Sequence, residues 1–325
     1  MRKTASTLCA ALCFFSLDAP AGFKAETVSE PGTAPSGESW SLQFSSGTVN
    51  GVAKEYVFVY SKIAGGRYKL SELDWDIEDV YMAGGNLTLR DGRAILNLGY
   101  WQAVTDGSDG LMQDYDWFDE TSPHWTEYSV SAVDVIDGSI LDLNAGWEFV
   151  QNFHGLTARG LLGYKIDNWK WNARGGYGLY SSLLYVPYSF EDETVCVYKQ
   201  DIAVPYAGLS ADVNFRQLVF SAYFTFSPLV RANTRDEHWL RNLTITDDFD
   251  QGDMFAAGAS ARYHLSAGWF VTSAVDIQKI DLTIGDAGYR RSYEYYGLES
   301  YEKFNDYSGF SNQYVSISLG LGRFF

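Results

Sequence analysis

The sequence is short of cysteine, of positive charge and of long apolar runs. Cys9 and Cys13 lie within the first 21 residues, so Cys196 alone remains. That excludes an intramolecular disulfide in the rest of the chain, and a lone thiol is more often a buried small residue than a nucleophile. Lys and Arg total 24 against 41 Asp and Glu, a net charge of −17, which disfavours nucleic acid and attracts cationic partners.

The N-terminal region predicts an export signal. In residues 1–21 two basic residues precede the apolar run LCAALCFFSL, and the stretch ends on the small-x-small cleavage signal APA. Residues 22–38 are polar and rich in Gly, Pro and Ser, a composition that predicts a flexible segment. We interpret residues 39–325 as one domain.

In this domain the apolar residues are spread in alternation. No segment approaches the roughly 20 uninterrupted apolar residues of a membrane-spanning helix, although 46% of the chain is hydrophobic. In LVFSAYFTF, residues 218–226, the apolar side chains of Leu218, Phe220 and Phe224 share one parity. A period of two residues predicts β-strands. Ten such runs occur, near residues 40–62, 70–90, 93–105, 128–151, 155–181, 196–215, 216–233, 253–266, 268–286 and 312–325.

The connections between these runs alternate in length. The short ones lie near 90–93, 152–155, 214–216 and 265–268, and the longer polar ones near 61–69, 105–127, 182–195, 234–252 and 287–311. Outer-membrane barrels have this asymmetry, and closure removes strand edges that lipid cannot satisfy. We therefore predict a ten-stranded antiparallel transmembrane β-barrel with long extracellular loops and short periplasmic turns.

A secreted β-sandwich is the alternative, because its strands alternate in the same way. The aromatic outward faces and the regular change of short and long turns favour the barrel. One conflict exists within it. Strict parity from Phe224 places Asp236 and His238 on the lipid side, where charge is costly, so we expect a bulge near Pro228 or in the loop beyond it to reset the register.

Two acidic pairs mark the predicted mouth of the barrel. In MQDYDWFD, residues 112–119, Asp114 and Asp116 are two apart, so an extended backbone points both carboxylates the same way. Asp236 and His238 repeat this spacing in NTRDEHWL, residues 233–240. Because their strands lie roughly opposite each other in a ten-stranded barrel, the pairs can meet across the mouth. Solvated acidic loops would carry the same residues without any catalysis.

The pairs would form a hydrolytic site without a serine or cysteine nucleophile. Asp236 would fix the tautomer of His238, whose other nitrogen would accept a proton from water. Asp114 would hold that water, and Asp116 would share a proton with Asp114 or orient it. No metal or other cofactor enters this scheme. The acidic stretch DDFDQGD, residues 247–253, lacks the ligand spacing of a calcium loop and is interpreted as a solvated loop.

Several further motifs occur in fixed order. They are GGRYKLSELDW (65–75), MQDYDW (112–117), WTEYS (125–129), ARGG (173–176), YKQ and PYAGL within 198–209, and DEH (236–238). Through them the chain from the first strand onward resembles the omptins, a family of outer-membrane aspartic endopeptidases of Gram-negative bacteria. The resemblance implies a barrel that projects above the membrane, with an extracellular groove at its top where water is activated by Asp114, Asp116, Asp236 and His238. Ser129 matches a minor site residue.

The resemblance also implies a substrate. Omptins cut next to basic residues, so cationic peptides or exposed basic segments of proteins are the expected partners. The pocket for the residue before the cut holds two acids, of which one falls on Glu55 and the other on Thr234, where an acid is missing. Met112 matches an apolar wall of the groove. The missing acid leaves the preference between Arg and Lys open.

Lipopolysaccharide, which omptins bind and require, is the expected lipid partner and a possible activator. Of the family's outer cluster only Tyr164 persists, since Asn168 and Asp201 replace basic residues and Ile166 replaces an acid. Either Lys165 or Lys170 holds the headgroup instead, or the dependence on lipid is reduced. A barrel that kept the fold but acts as an adhesin or a structural protein is the alternative function.

Overall fold

The computed structural model describes residues 39–63, 65–104, 110–293 and 298–325. The predicted signal peptide, 1–21, and flexible segment, 22–38, therefore lie outside the described residues. The described ranges hold twelve strands: β1 (Ser39–Ser61), β2 (Gly66–Asp91), β3 (Ala94–Ala103), β4 (Gly110–Asp116), β5 (Glu127–Phe153), β6 (Leu156–Leu179), β7 (Tyr188–Ser189), β8 (Thr194–Phe215), β9 (Leu218–His238), β10 (Leu243–His264), β11 (Trp269–Tyr293) and β12 (Leu298–Phe324).

Within the described ranges, helical structure is limited to two single turns of 3-10 helix, η1 (Ser181–Leu183) and η2 (Trp239–Arg241). No helix among the described residues has the length and apolar character needed to cross a bilayer.

The sheet closes on itself in an antiparallel ring. β1 pairs with both β2 and β12, and the chain continues around the ring through β5, β6 and β8 to β11. β3 and β4 both lie between β2 and β5, so they form the two ends of one barrel strand, whereas the short β7 adds to the edge of β6. The ring therefore has ten strands, as predicted. Trp40 stacks on Phe325 at 3.9 Å between ring centroids where the first and last strands meet.

An apolar belt covers the outside of one part of the barrel. Its members are exposed side chains that alternate along the strands, among them Leu162, Leu209, Phe220, Phe224, Phe255, Val275, Ile317 and Leu319. An outward apolar band on a closed barrel is the surface that faces lipid. We call the belted part, with the short turns, the lower part, and the rest the upper part.

The register change expected at Pro228 is confirmed. Along β9 the buried and exposed residues alternate up to Ser227, then Pro228 and Leu229 are both exposed, and from Val230 the parity is reversed. Against β8, the six residues of β9 from Phe226 to Arg231 lie opposite the five residues from Ala203 to Ala207, which is one extra residue. The amide of Leu229 donates to Ser227 Oγ at 3.1 Å. This bulge turns Asp236 from the lipid side to the interior.

The strands extend further than predicted. The regions 234–252 and 287–311, predicted as loops, are mostly strand, because β9 and β10 stay paired up to His238 and Leu243, and β11 and β12 up to Tyr293 and Leu298. Alternation is weak there because bulges interrupt it in β10 and β11. The consequence is a tall upper wall that carries the candidate site.

The interior changes character between the two parts. In the lower part it is polar, with Arg159 within 2.5 Å of Asp212 and Lys165 within 2.6 Å of the Tyr314 hydroxyl. Above it lies an aromatic layer of fully buried rings, in which Tyr198 stacks on Trp75 at 5.1 Å between centroids. The further rings of this layer are Trp169 and Trp171. It forms a packed floor beneath the mouth.

Candidate active site

The first acidic pair lies on β4, in the upper part. Met112, Asp114 and Asp116 point inward on one face, as the spacing predicted. β4 runs between β2 and β5, and Asp114 is the partner of Leu73 on one side and of Ser129 on the other. Ser71 Oγ donates to Asp114 Oδ1 at 3.1 Å. The carboxylate is thereby held toward the interior.

The second pair lies at the end of β9. His238 Nε2 is 2.7 Å from Asp236 Oδ2, and the Asp236 side chain is fully buried behind the imidazole. Cys196, across the strand pair on β8, donates its thiol to Asp236 Oδ1. Asp236 is thus held from two sides, and Nδ1 is the nitrogen of His238 that remains for a further partner.

The first pair and His238 of the second pair line one cavity of about 460 Å³ in the mouth. Asp114 and Asp116 lie on its wall together with His238, and Glu55 and Arg241 line it as well. Tertiary structure therefore brings together residues that are more than 100 positions apart in the sequence. The cavity has the size of a small-ligand pocket.

The carboxyl groups of the first pair hold protons more tightly than usual. Burial raises the pKa of Asp116 to about 7, and the neighbouring charge of Asp114 adds to this. Burial also raises the pKa of Asp114, against the opposing charges of His238 and Arg241. Like charges at short range favour one shared proton.

The imidazole of His238 also holds its proton more tightly than usual. Burial disfavours the charged form of His238, but the charge of Asp236 and the contact with it outweigh burial, so the pKa lies above its ordinary value. Such a histidine is a stronger base than a free one. The pair therefore suits proton transfer near neutral pH.

A family model described as the omptin family matches residues 36–325, nearly nine tenths of the chain. The chain belongs to the omptin family. It is 29% identical to the plasminogen activator of Yersinia pestis over 87% of this chain and 89% of that one. It is 28% identical to outer membrane protease OmpP of Escherichia coli over 70% of this chain and 73% of that protein.

The solved structure of outer membrane protease OmpT from Escherichia coli has the same fold. The match has a TM-score of 0.79 at 22% sequence identity and covers 88% of this chain and 97% of that one. At this identity the likeness concerns the fold. An omptin barrel with an apolar belt is an outer-membrane protein.

The predicted substrate residues of this omptin occupy different layers. Glu55 lies on the cavity wall. Thr234 is buried one inward position below Asp236 on β9, where its hydroxyl donates to Asp247 Oδ2 at 2.7 Å. Met112, predicted as a groove wall, instead packs into the buried core with Trp75 and Leu73. The alternation correctly predicted that the Met112 side chain points inward. This part of β4 lies low enough in the barrel that the aromatic layer covers the side chain. Ser129 is buried beside Asp114.

The lipid-facing residues are only partly where they were expected. Tyr164 is exposed on the outside of β6, within the belted part. Lys165 points into the barrel, where its Nζ bonds to Gln278 and Tyr314 at 2.6 Å each, so it cannot hold a headgroup. Lys170 lies on the outward parity of β6 and is paired with Lys199 of β8.

The structure adds three residues to the site. The sequence predicts a buried thiol at Cys196 and a solvated loop around Asp247, and it gives no signal for Arg241. Their signals are weak, because each depends on the strand opposite: Cys196 faces His238, and Asp247 faces Thr234. Alternation through Ile245, Asp247 and Phe249, all buried, is the one sequence hint available for Asp247.

A metal site at the dyad is weakly supported. Donor atoms of Cys196, Asp236 and His238 lie within 4.8 Å of one another. Burial raises the pKa of the Cys196 thiol well above its usual range, and the charge of Asp236 adds to this. Because metals bind the thiolate, a thiol that keeps its proton is a poor ligand. That no metal takes part stays a prediction.

Proposed function

We propose that this omptin is an outer-membrane aspartic endopeptidase whose mouth faces the extracellular side. The single observation that carries the proposal is the shared cavity, which is lined by both acids of β4 and by the imidazole of the Asp236–His238 pair. The names of the relatives, a plasminogen activator and outer-membrane proteases, support the same activity.

The proposed mechanism uses a water molecule between the pairs. His238 Nδ1 accepts one proton of this water while the water oxygen attacks the peptide carbonyl carbon. Asp114 orients the water, and Asp116 shares a proton with Asp114. His238 then returns the proton to the departing amine, so the bond breaks to a carboxylic acid and an amine. Asp236 stabilises the imidazolium between these steps.

The proposed substrates are cationic peptides and exposed basic segments of proteins. The excess of acids on the cavity wall, which also carries Arg241 and Arg291, supports this choice, because an excess of one sign of charge concentrates ligands of the other. Outer-membrane lipid surrounds the belt, and lipopolysaccharide is proposed as a modulator rather than as a cofactor. Lys170 is the outward cation that we propose for its phosphates, because the neighbouring Lys199 already forms an ion pair with Asp201 at 2.6 Å.

The test is cleavage of a fluorogenic dibasic peptide by refolded protein, with and without lipopolysaccharide. The wild type is expected to cleave it, and Asp114→Ala and His238→Ala to lose nearly all of that rate while still folding. Asp248→Asn is the matched control, because it removes the charge of an exposed side chain on β10. This variant is expected to keep the rate. A wild type inert on a broad peptide library would instead favour an adhesin or structural role.

A further inference from the structure

Two buried acids that the proposed mechanism does not use lie beside the catalytic cavity, Glu55 on its wall and Asp247 behind it. Glu55 and Asp247 are buried to 1% and 2% exposure, and neither takes part in water activation. Glu55 comes from β1, and Asp247 points inward from β10, one inward position below Ile245 on the cavity wall. Buried carboxyls without a role are costly, so they call for a partner.

The partners that these carboxyls have are incomplete. Asp247 Oδ2 accepts from Thr234 at 2.7 Å, and the Ser308 hydroxyl lies near the same carboxyl group, but Asp247 Oδ1 and Glu55 Oε2 have no hydrogen-bond partner among the described residues. The charged neighbours that act most strongly on Glu55 are acidic, namely Asp236, Asp247 and Asp114, and Glu55 also contacts the Asp236 carboxyl group. Two free carboxylate oxygens beneath one cavity thus point to a cationic guest.

Thr234 and Asp247 are direct partners across the β9–β10 pair. A carboxylate at either of these two positions reaches the same inward layer of the barrel. The acid at position 247 of β10 can therefore take the place of the acid that is absent at position 234 of β9. The threonine hydroxyl then holds that acid in place. The wall above the acids is apolar or aromatic, through Val57, Ile245 and Tyr289, which suits the methylene stem of a long basic side chain.

Building on the proposed endopeptidase activity, we propose that Asp247, held by Thr234, forms with Glu55 the pocket that selects a Lys or Arg side chain of the substrate. Inward positions along a strand are roughly 7 Å apart. An extended basic side chain entering beside Glu55 therefore reaches the layer of Asp247.

The test compares peptides that differ only in the residue before the cut: Arg, Lys, and citrulline as the uncharged counterpart of Arg. In Asp247→Asn we expect kcat/KM for the Arg and Lys peptides to fall at least about thirtyfold, as for loss of one partner of a buried ion pair, with little change for citrulline. Asp248→Asn is the control, because that side chain is exposed on the same strand.

A double variant guards against misfolding. Thr234→Asp combined with Asp247→Thr exchanges the acid across the strand pair and should restore the preference for Arg over citrulline. If Asp247→Asn or, should it not fold, Thr234→Val keeps the wild-type ratio of Arg to citrulline within twofold, the assignment of Asp247 is overturned. Inactivity of the wild type on all three peptides would count against the proposed function itself, a result distinct from lost selectivity.

Discussion

The lower and upper parts of the barrel are built from the same strands with opposite chemistry. On β9, Phe220 and Phe224 face outward below the bulge, whereas Arg231, Asn233 and Arg235 face outward above it. The interior reverses in step, from ion pairs such as Arg159–Asp212 to stacked tryptophans. The difference follows from the surroundings of each part. Around the lower part, lipid requires an apolar exterior, and around the upper part, water allows a polar exterior with an apolar core inside.

The comparison explains where the catalytic groups lie. In the lower part, the buried Glu148 and the partly buried Asp212 are paired with arginines. In the upper part, Glu55, Asp114, Asp116, Asp236 and Asp247 gather with few cations, above a floor of rings. Buried carboxyl groups that lack a cationic partner bind a cation or a proton readily. The upper part therefore carries the chemistry, and the lower part anchors it.

The largest effect is expected from removing the register change. Deleting Leu229 eliminates the extra residue of β9, so Asp236 and His238 would face outward again. We expect complete loss of peptide cleavage, while the lower strands still insert into bilayers. Activity and heat-dependent mobility on gels measure the two outcomes. Pro228→Ala keeps the residue count and should retain activity; a deletion variant that still cleaves would contradict the role of the bulge.

A smaller effect tests the boundary of the belt. Phe224→Lys puts a charge on the lipid side and should destabilise the refolded barrel by about 2–4 kcal/mol, as for Lys near the bilayer midplane. Asn233→Lys, equally outward but beyond the bulge, should cost under about 0.5 kcal/mol. Urea titrations in lipid vesicles give both values. Equal losses of stability in the two variants would contradict a belt that ends at the bulge.

The smallest effect concerns pH. His238 must be neutral to accept a proton, and its pKa lies above its ordinary value of 6.5, mainly because of Asp236. The rate should therefore fall as the pH drops through a midpoint above 6.5. In Asp236→Asn the residual activity should show this midpoint at lower pH, since the opposing charge is gone. An unmoved midpoint, equal to that of Asp248→Asn, would remove Asp236 from its proposed role.

Prediction from residue patterns succeeded where the pattern is local. Alternation in LVFSAYFTF and the proline two residues beyond it sufficed for the strand and the bulge, because side-chain parity and the missing proline amide act on neighbouring residues. The spacing of Asp114 and Asp116 gave one inward face for the same reason. These features need no knowledge of the partner strand.

Prediction failed where a residue's role depends on a strand distant in the sequence. The burial of Lys165 with Gln278 and Tyr314, 113 and 149 residues away, is invisible in its own segment. The same holds for the thiol of Cys196 beside Asp236. Bulges in β10 and β11 hid the alternation that would have extended those strands.

Residue order was enough to specify a ten-stranded lipid-facing sheet and the four polar residues proposed for its mouth, because a period of two and an i, i+2 spacing act through one strand. Closure of the barrel was needed to set the depth of each layer, which put Met112 in the core, Lys165 in the lumen and Asp247 opposite Thr234. Depth follows from pairing register between strands, and no single segment contains that register.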